Sequence, residues 1–279
     1  INSFLIHNQE FDCVHDSAVV HPLTTVLPVA LAIAEKRGDM SGQDLILAIA
    51  LGVNVACSLG IASRAPMSHF RPATTGAFGA VAAAGKIMKF DVPTLRNAMG
   101  IVYSQISGTL QPHHEGSTVN SMQTGFNARA AVTAVDLAAE GIEGPKDVLE
   151  GPYGSFRLFE GAHDIHGVLK NLDKTWQIEN VAQKPYPCGR LTHGAVEAAL
   201  ILSRQHEIRW DQIENCEVRV PPLVHRLVGR QIETPVPSPQ FAKLSLPFVV
   251  ATALIKNNVF VTDFQDDALV HPTVRSLAK

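Results

Sequence analysis

The sequence predicts a mainly α protein, with a large all-α helical domain over residues 1–178 and a smaller α+β domain over 179–279. Three observations carry this reading. Up to about Asn180 the chain is rich in alanine and repeats its apolar positions at helical spacing. No run in that part alternates apolar and polar residues as a half-buried strand does. After Trp176 the character changes, and Ile213-Glu-Asn-Cys-Glu-Val-Arg-Val220 alternates until Pro221-Pro222 stops it.

The elements follow in order. Ile1-Asn-Ser-Phe-Leu-Ile6 reads as the inside of a helix rather than the start of a protein, so the chain is expected to be a fragment. Residues 23–35 form an apolar run closed by Lys36-Arg37-Gly38, a basic last turn and a glycine stop. Ser41, with Asp44 three residues on, opens a helix that continues through Leu47, Ala50, Leu51, Val55 and Leu59. Residues 74–89 carry Gly76, Gly79, Ala80, Ala83 and Ala84, small enough for close helix approach, which predicts a central helix. Val92-Pro93 starts another, with proline in its first turn. A long helix over 122–140 ends at Gly141. Beyond the strand at 213–220 come a proline-rich loop over 231–239 and a helix over 242–256. Two short helices follow over 263–279, broken at His271-Pro272. The strand lacks obvious partners, so the small domain is expected to be incomplete.

The net charge is −3, with 18% charged and 46% hydrophobic residues. That composition suits a globular protein and predicts no nucleic-acid partner, since no basic cluster is present. Apolar runs such as 26–34 are too short to span a bilayer, and no membrane partner is expected. Cys13, Cys57, Cys188 and Cys216 are scattered without CxxC spacing, which predicts reduced thiols and a cytoplasmic location.

Four clusters carry candidate chemistry. The first is His7, Glu10, Asp12, His15-Asp16 and His21-Pro22. Carboxylates beside imidazoles support proton transfer because each biases the other's ionisation. The same set could ligate a metal, or simply form a polar loop capping the following helix. The second, His69-Phe70-Arg71-Pro72, opens a Gly/Ala-rich helix where backbone N–H groups and Arg71 favour an anion. The third runs from Gln111-Pro-His113-His114 through Asn120 to Gln123. The fourth is Lys184-Pro-Tyr-Pro-Cys-Gly-Arg-Leu-Thr-His193, a stiff cationic segment feeding a helix and suited to holding a carboxylate. Cys188 lies there without a base spaced to make it a nucleophile.

In this order and spacing the clusters resemble the 2-methylcitrate dehydratase family (MmgE/PrpD), which includes cis-aconitate decarboxylases and iminodisuccinate epimerases. The matching features are His7…Phe11-Asp12…His21-Pro22, Thr74/Gly76…Phe78-Gly79, Gln123…Gly125…Ala128-Arg129, Lys184-Pro-Tyr-Pro-Cys…His193 and Ala242-Lys243-Leu-Ser245. The resemblance implies an α-helical domain and a smaller α+β domain with the active site between them, a homodimer, and no metal or organic cofactor. It places His21 and Lys184 in the site, with Glu10 and Asp12 as further catalytic carboxylates. Substrate-binding roles would fall to Arg71, His69, Asn120, Gln123, Arg190, His193 and His225. This sequence departs from the pattern at Glu10, where aspartate is usual, at Val14 in place of a hydroxyl, and at Asn120 in place of a lysine. An amide donates hydrogen bonds but neutralises no charge, so a substrate with fewer carboxylates than methylcitrate is expected.

The activity so implied is a hydro-lyase that removes a proton next to a carboxylate of a small hydroxy- or unsaturated di- or tricarboxylic acid. An epimerase of the same family needs only the proton exchange. A catalytically degenerate paralogue serving as a binding or assembly unit is the reading from another class, supported by Asn120 and Val14.

Overall fold

The computed structural model describes residues 1–172 and 174–279. The chain is mainly α, 61% helix and 4% strand. Its helices are α1 (Asn2–Asn8), α2 (Leu23–Arg37), α3 (Gly42–Ala62), α4 (Arg71–Ile87), α5 (Val92–Tyr103), α6 (Gln111–Glu115) and α7 (Val119–Ala139). The rest are α8 (Ile165–Leu169), α9 (His193–Gln205), α10 (Pro222–Val228), α11 (Pro239–Lys243), α12 (Leu246–Lys256), α13 (Asp266–Leu269) and α14 (Pro272–Leu277). They form two compact units. The first holds residues Ile1–His7, Asp12–Leu110 and Ser121–Gln183; the second holds Asn8–Phe11, Gln111–Asn120 and Lys184–Lys279.

Local chemistry sets the ends of the helices in the first unit. Gly38 adopts φ 78°, closing α2 in the left-handed conformation that glycine takes without strain. Ser41 Oγ accepts from the Asp44 amide to cap α3, and the Asp91 carboxylate caps α5 in the same way. Pro28 lies inside α2 and cannot donate to the carbonyl of Thr24. The buried Ser3 hydroxyl donates to that carbonyl instead, at 2.5 Å.

Helix α4 packs against α2, α3 and α5 and is buried along almost its whole length, as its small residues predict. At the α3–α4 crossing a Cβ on Gly52 would lie 2.6 Å from the Gly79 carbonyl oxygen, and one on Gly79 only 2.5 Å from that of Gly52. No side chain fits there, so the two glycines fix how closely the helices meet. Val26, Val29, Ile33, Val53, Phe78, Val81 and Ile87 fill the surrounding core. Helix α3 corrects the expectation about apolar runs, because it is long and apolar enough to cross a membrane by length and composition. In this fold 56% of that window is buried, with α2 and α4 packed against it.

The small strand content lies in the first unit, where Cys13–Val14 (β1) pairs antiparallel with Ala182–Gln183 (β2). Helix periodicity alone did not foresee it. The strand expected over 213–220 has no ladder partner among the described residues, and the α+β description of the smaller domain is corrected to that extent. Residues 214–219 are exposed and in no regular element, since alternation makes a strand only when a neighbour satisfies its backbone groups.

In the second unit α12 packs on α9 and α14 around Val196, Leu200, Phe248, Val249 and Phe264. The single helix expected over 242–256 is two. Ser245 Oγ accepts from the Phe248 amide and caps α12, while Pro247 in the first turn has no N–H to continue the preceding helix. The break at His271-Pro272 is found where the sequence puts it.

Candidate functional site

In the first unit, the loop between α1 and α2 gathers a histidine–aspartate–histidine cluster. The Asp12 side chain is fully buried and faces His7 Nδ1 at 2.9 Å and His21 Nδ1 at 3.2 Å. His21 Nδ1 also lies 2.8 Å from the Cys13 carbonyl oxygen. A carbonyl and an ionised carboxylate only accept, so Nδ1 of His21 carries a proton, and in the neutral form of the ring the basic nitrogen is Nε2. The imidazole is thereby oriented as a base, with its side chain 15% exposed beside its two buried partners. The His7 ring sits 5.1 Å from that of His21 and 5.8 Å from Phe70. The nearest nitrogens and carboxylate oxygen of His7, Asp12 and His21 all lie within 4.8 Å of one another, close enough to hold a cation; the hydrogen bonds account for the arrangement equally well.

In the second unit the charged residues converge on Glu10. Its backbone takes φ 51°, unusual for a residue with a Cβ, and its side chain is buried. Lys184 Nζ donates to Glu10 Oε2 at 2.8 Å with both side chains buried, and Gln240 Nε2 donates to Oε1 at 3.3 Å. Lys243, also buried, donates to the Asn8 carbonyl at 3.1 Å and to Gln9 Oε1 at 2.9 Å. Burial holds the Lys243 ammonium below the usual lysine range, an effect that Glu10 opposes and Lys184 adds to. Arg230 stacks 4.3 Å over the Phe241 ring and donates from Nη1 to the carbonyls of His113 and His114. Burial lowers its pKa to about 10, so it stays charged at neutral pH.

The Lys184–His193 segment ends at the start of α9. His193 Nε2 donates to the Cys188 carbonyl at 3.2 Å, leaving Nδ1 as a buried acceptor with no hydrogen-bond partner among the described residues. Burial drives the His193 pKa down to about 4, and repulsion by Lys184 and Arg190 works in the same direction. Its folded pKa therefore lies below the unfolded value near 6.5. The stability it contributes is complete above that value and is lost as the pH falls from there towards about 4. Urea unfolding midpoints are expected to drop between about pH 7 and pH 5, and His193→Gln to flatten that dependence. Burial pushes the Cys188 thiol up to about 12, which agrees with its having no nucleophilic role.

The sequence model of the MmgE/PrpD N-terminal domain matches residues 1–167, and that of the MmgE/PrpD C-terminal domain matches residues 186–279. The chain belongs to the MmgE/PrpD family. A cis-aconitate decarboxylase of Aspergillus terreus is 28% identical over 300 residues, taking in 100% of this chain and 61% of the relative. A cis-aconitate decarboxylase-like protein of Aspergillus oryzae, oryM, is 27% identical over 299 residues, covering 99% of this chain and 62% of the relative. The chain thus spans a little over three fifths of the length of these relatives.

The remaining residues that MmgE/PrpD membership singled out differ in what they are free to do. Arg71 is buried at the start of α4 with Nε and Nη2 on the Glu160 carboxylate at 3.0 and 2.9 Å. Its Nη1 donates to the Ala18 carbonyl and its Nη2 to Ser63 Oγ, which leaves the guanidinium committed to the fold rather than to an anion. Gln123 pairs both ways with Thr109, accepting from its amide at 2.7 Å and donating to its carbonyl at 3.1 Å; Asn127 braces Ser107 likewise. His69 is half-buried, bonded through Nδ1 to Ser68 Oγ and set edge-on to Phe159. His225 is exposed on α10 and borders a groove of about 870 Å³ with Trp210, Cys216 and Val250, a different set from the residues around Glu10. Arg190 is half-buried in the turn that leads into α9. Asn120 is fully buried, and neither its amide nitrogen nor its oxygen has a hydrogen-bond partner among the described residues.

Sequence reasoning placed His7 in the first candidate cluster without a role of its own, and assigned none to Gln240, Lys243 or Arg230. His7 and Lys243 stand inside stretches that match the family, which was the available signal. Arg230 lies between Gly229 and a proline-rich loop and carried none.

Proposed function

We propose that this chain carries proton- and carboxylate-handling groups of a lyase that acts on a small di- or tricarboxylic acid. The observation that carries the reading is the fixed tautomer of His21, with Nδ1 bonded to Asp12 and the Cys13 carbonyl. Nε2 is then the basic nitrogen for a proton bound to carbon next to a carboxylate. In a dehydration that proton moves to Nε2, the C–H electrons form the double bond, and hydroxide leaves the neighbouring carbon with a proton from an acid. Such a positioned base contributes on the order of 10²–10⁴-fold. Within the second unit the Lys184 ammonium, bonded to Glu10, has the charge to bind a carboxylate.

A second reading, decarboxylation, is favoured by the relatives, which are named for cis-aconitate decarboxylation. There the C–C electrons stay on carbon and the His21 imidazolium returns a proton to it, so the same nitrogen serves in the reverse sense. Proton NMR in D2O with citrate-like, aconitate-like and aspartate-like acids separates the outcomes. Loss of water indicates a dehydratase, loss of CO2 a decarboxylase, and deuterium exchange alone an epimerase. Absence of all three across the panel overturns the lyase reading.

A further inference from the structure

His7, Asp12 and His21 all belong to the first unit, and both imidazoles meet one atom of the carboxylate. His7 Nδ1 lies 2.9 Å and His21 Nδ1 3.2 Å from Asp12 Oδ2. One ligand atom from each residue stands within 4.8 Å of the other two. Zinc holds imidazole nitrogens and carboxylate oxygens at about 2.0–2.2 Å in tetrahedral geometry, which sets neighbouring ligand atoms about 3.4 Å apart. The two short edges of this triangle open slightly, and the third closes, to receive a single ion.

Burial prepares the ligands. The Asp12 side chain is fully buried and that of His7 is 1% exposed. The His7 ring packs against those of His21 and Phe70, so an arriving ion costs the ligands little rotamer freedom. Of the three residues His21 is the one that reaches the surface, and it gives the ion its approach. Two neutral imidazoles and one carboxylate make the donor set of a three-ligand zinc site, with the fourth position left to water.

We propose that His7, Asp12 and His21 form a binding site for a divalent, borderline-soft cation such as Zn2+. The ion replaces hydrogen bonds that hold the cluster when it is metal-free. Nδ1 of each ring then presents a lone pair to the metal, its proton moves to Nε2, and His21 gives up its bond to the Cys13 carbonyl. With Nε2 protonated, His21 no longer accepts a proton from carbon, so the cation is an inhibitor. That consequence rests on the lyase reading; the binding does not.

Glu150 with His163 and His166 is the competing cluster in the same unit. Its imidazole Nε2 atoms stand 3.7 and 4.0 Å from Glu150 Oε1. The His166 side chain is 80% exposed, however, and must be immobilised before it can ligate.

Titration of Zn2+ into the full chain against a chromophoric chelator tests the site without turnover. One equivalent is expected to bind. His7→Phe, which keeps a ring in the cavity, is expected to weaken that binding on the order of 100-fold or more, since it removes a ligand outright. His7→Gln serves as the second variant, because its amide can still donate to Asp12 but ligates zinc poorly, and circular dichroism verifies that each variant folds. His166→Ala is expected to bind as the wild type does. Co2+ in place of Zn2+ should give the intense visible bands of a tetrahedral site without a sulfur-to-metal charge-transfer band. Absence of binding overturns the site, as do unchanged affinity in folded His7→Gln, loss of binding in His166→Ala, and a sulfur band that assigns the ion to Cys13 or Cys216. Binding that depends on His7 with no acid turned over removes the lyase reading and leaves the site standing. Turnover that saturating Zn2+ does not slow overturns the inhibition.

Discussion

Asp12→Asn is expected to reduce kcat/KM by about 10²–10⁴-fold, with no comparable loss of secondary structure. The carboxylate is completely buried and accepts from His7 and His21 at once. Both rings meet the same oxygen, Oδ2, so an amide that places its oxygen there keeps the hydrogen bonds and loses the charge. A neutral amide does not stabilise the imidazolium that forms when Nε2 takes a proton, and the basicity of His21 falls with it. Steady-state kinetics on the acid identified in D2O, with circular dichroism as the control for folding, checks the result. A variant with wild-type kcat/KM would remove the Asp12 charge from the mechanism.

Glu160→Ala is expected to cost about 3–5 kcal/mol of stability, because it strands the Arg71 guanidinium in the interior. The pair is buried on both sides, and Arg71 ties the start of α4 to residue 160 and to the Ala18 carbonyl. Replacing both partners by apolar residues, as in Arg71→Met with Glu160→Leu, is expected to recover much of that loss, since desolvating the ions offsets most of what their attraction contributes. Urea denaturation of the single and double variants measures both effects. A double variant as unstable as Glu160→Ala would mean that the remaining Arg71 bonds, to Ala18 and Ser63, carry the stabilisation.

The helices were legible because their signals are local. Ser41, Asp91 and Gly38 act within four residues of themselves, and the sequence placed all three helix ends. The site was legible only where the chemistry runs through neighbours, as for Asp12 and His21. Glu10 meets Lys184 across 174 residues and Arg71 meets Glu160 across 89, and no local pattern encodes such pairings. The same arginine therefore read as an anion binder in sequence and is an interior ion pair in the fold. Gln123 shows the same effect on a smaller scale, its amide being taken up by the Thr109 backbone. Arg230 lay beyond sequence reasoning because its contacts, the Phe241 ring and the carbonyls at 113 and 114, exist only once the chain is folded. The run at 213–220 failed in the opposite direction: its alternation is real, but a ladder is a property of two segments.

That run has a practical consequence at the bench. Cys216 is a free thiol exposed in the middle of it, so air oxidation can join two chains through a disulfide. Reducing agent keeps that thiol from cross-linking the protein during handling.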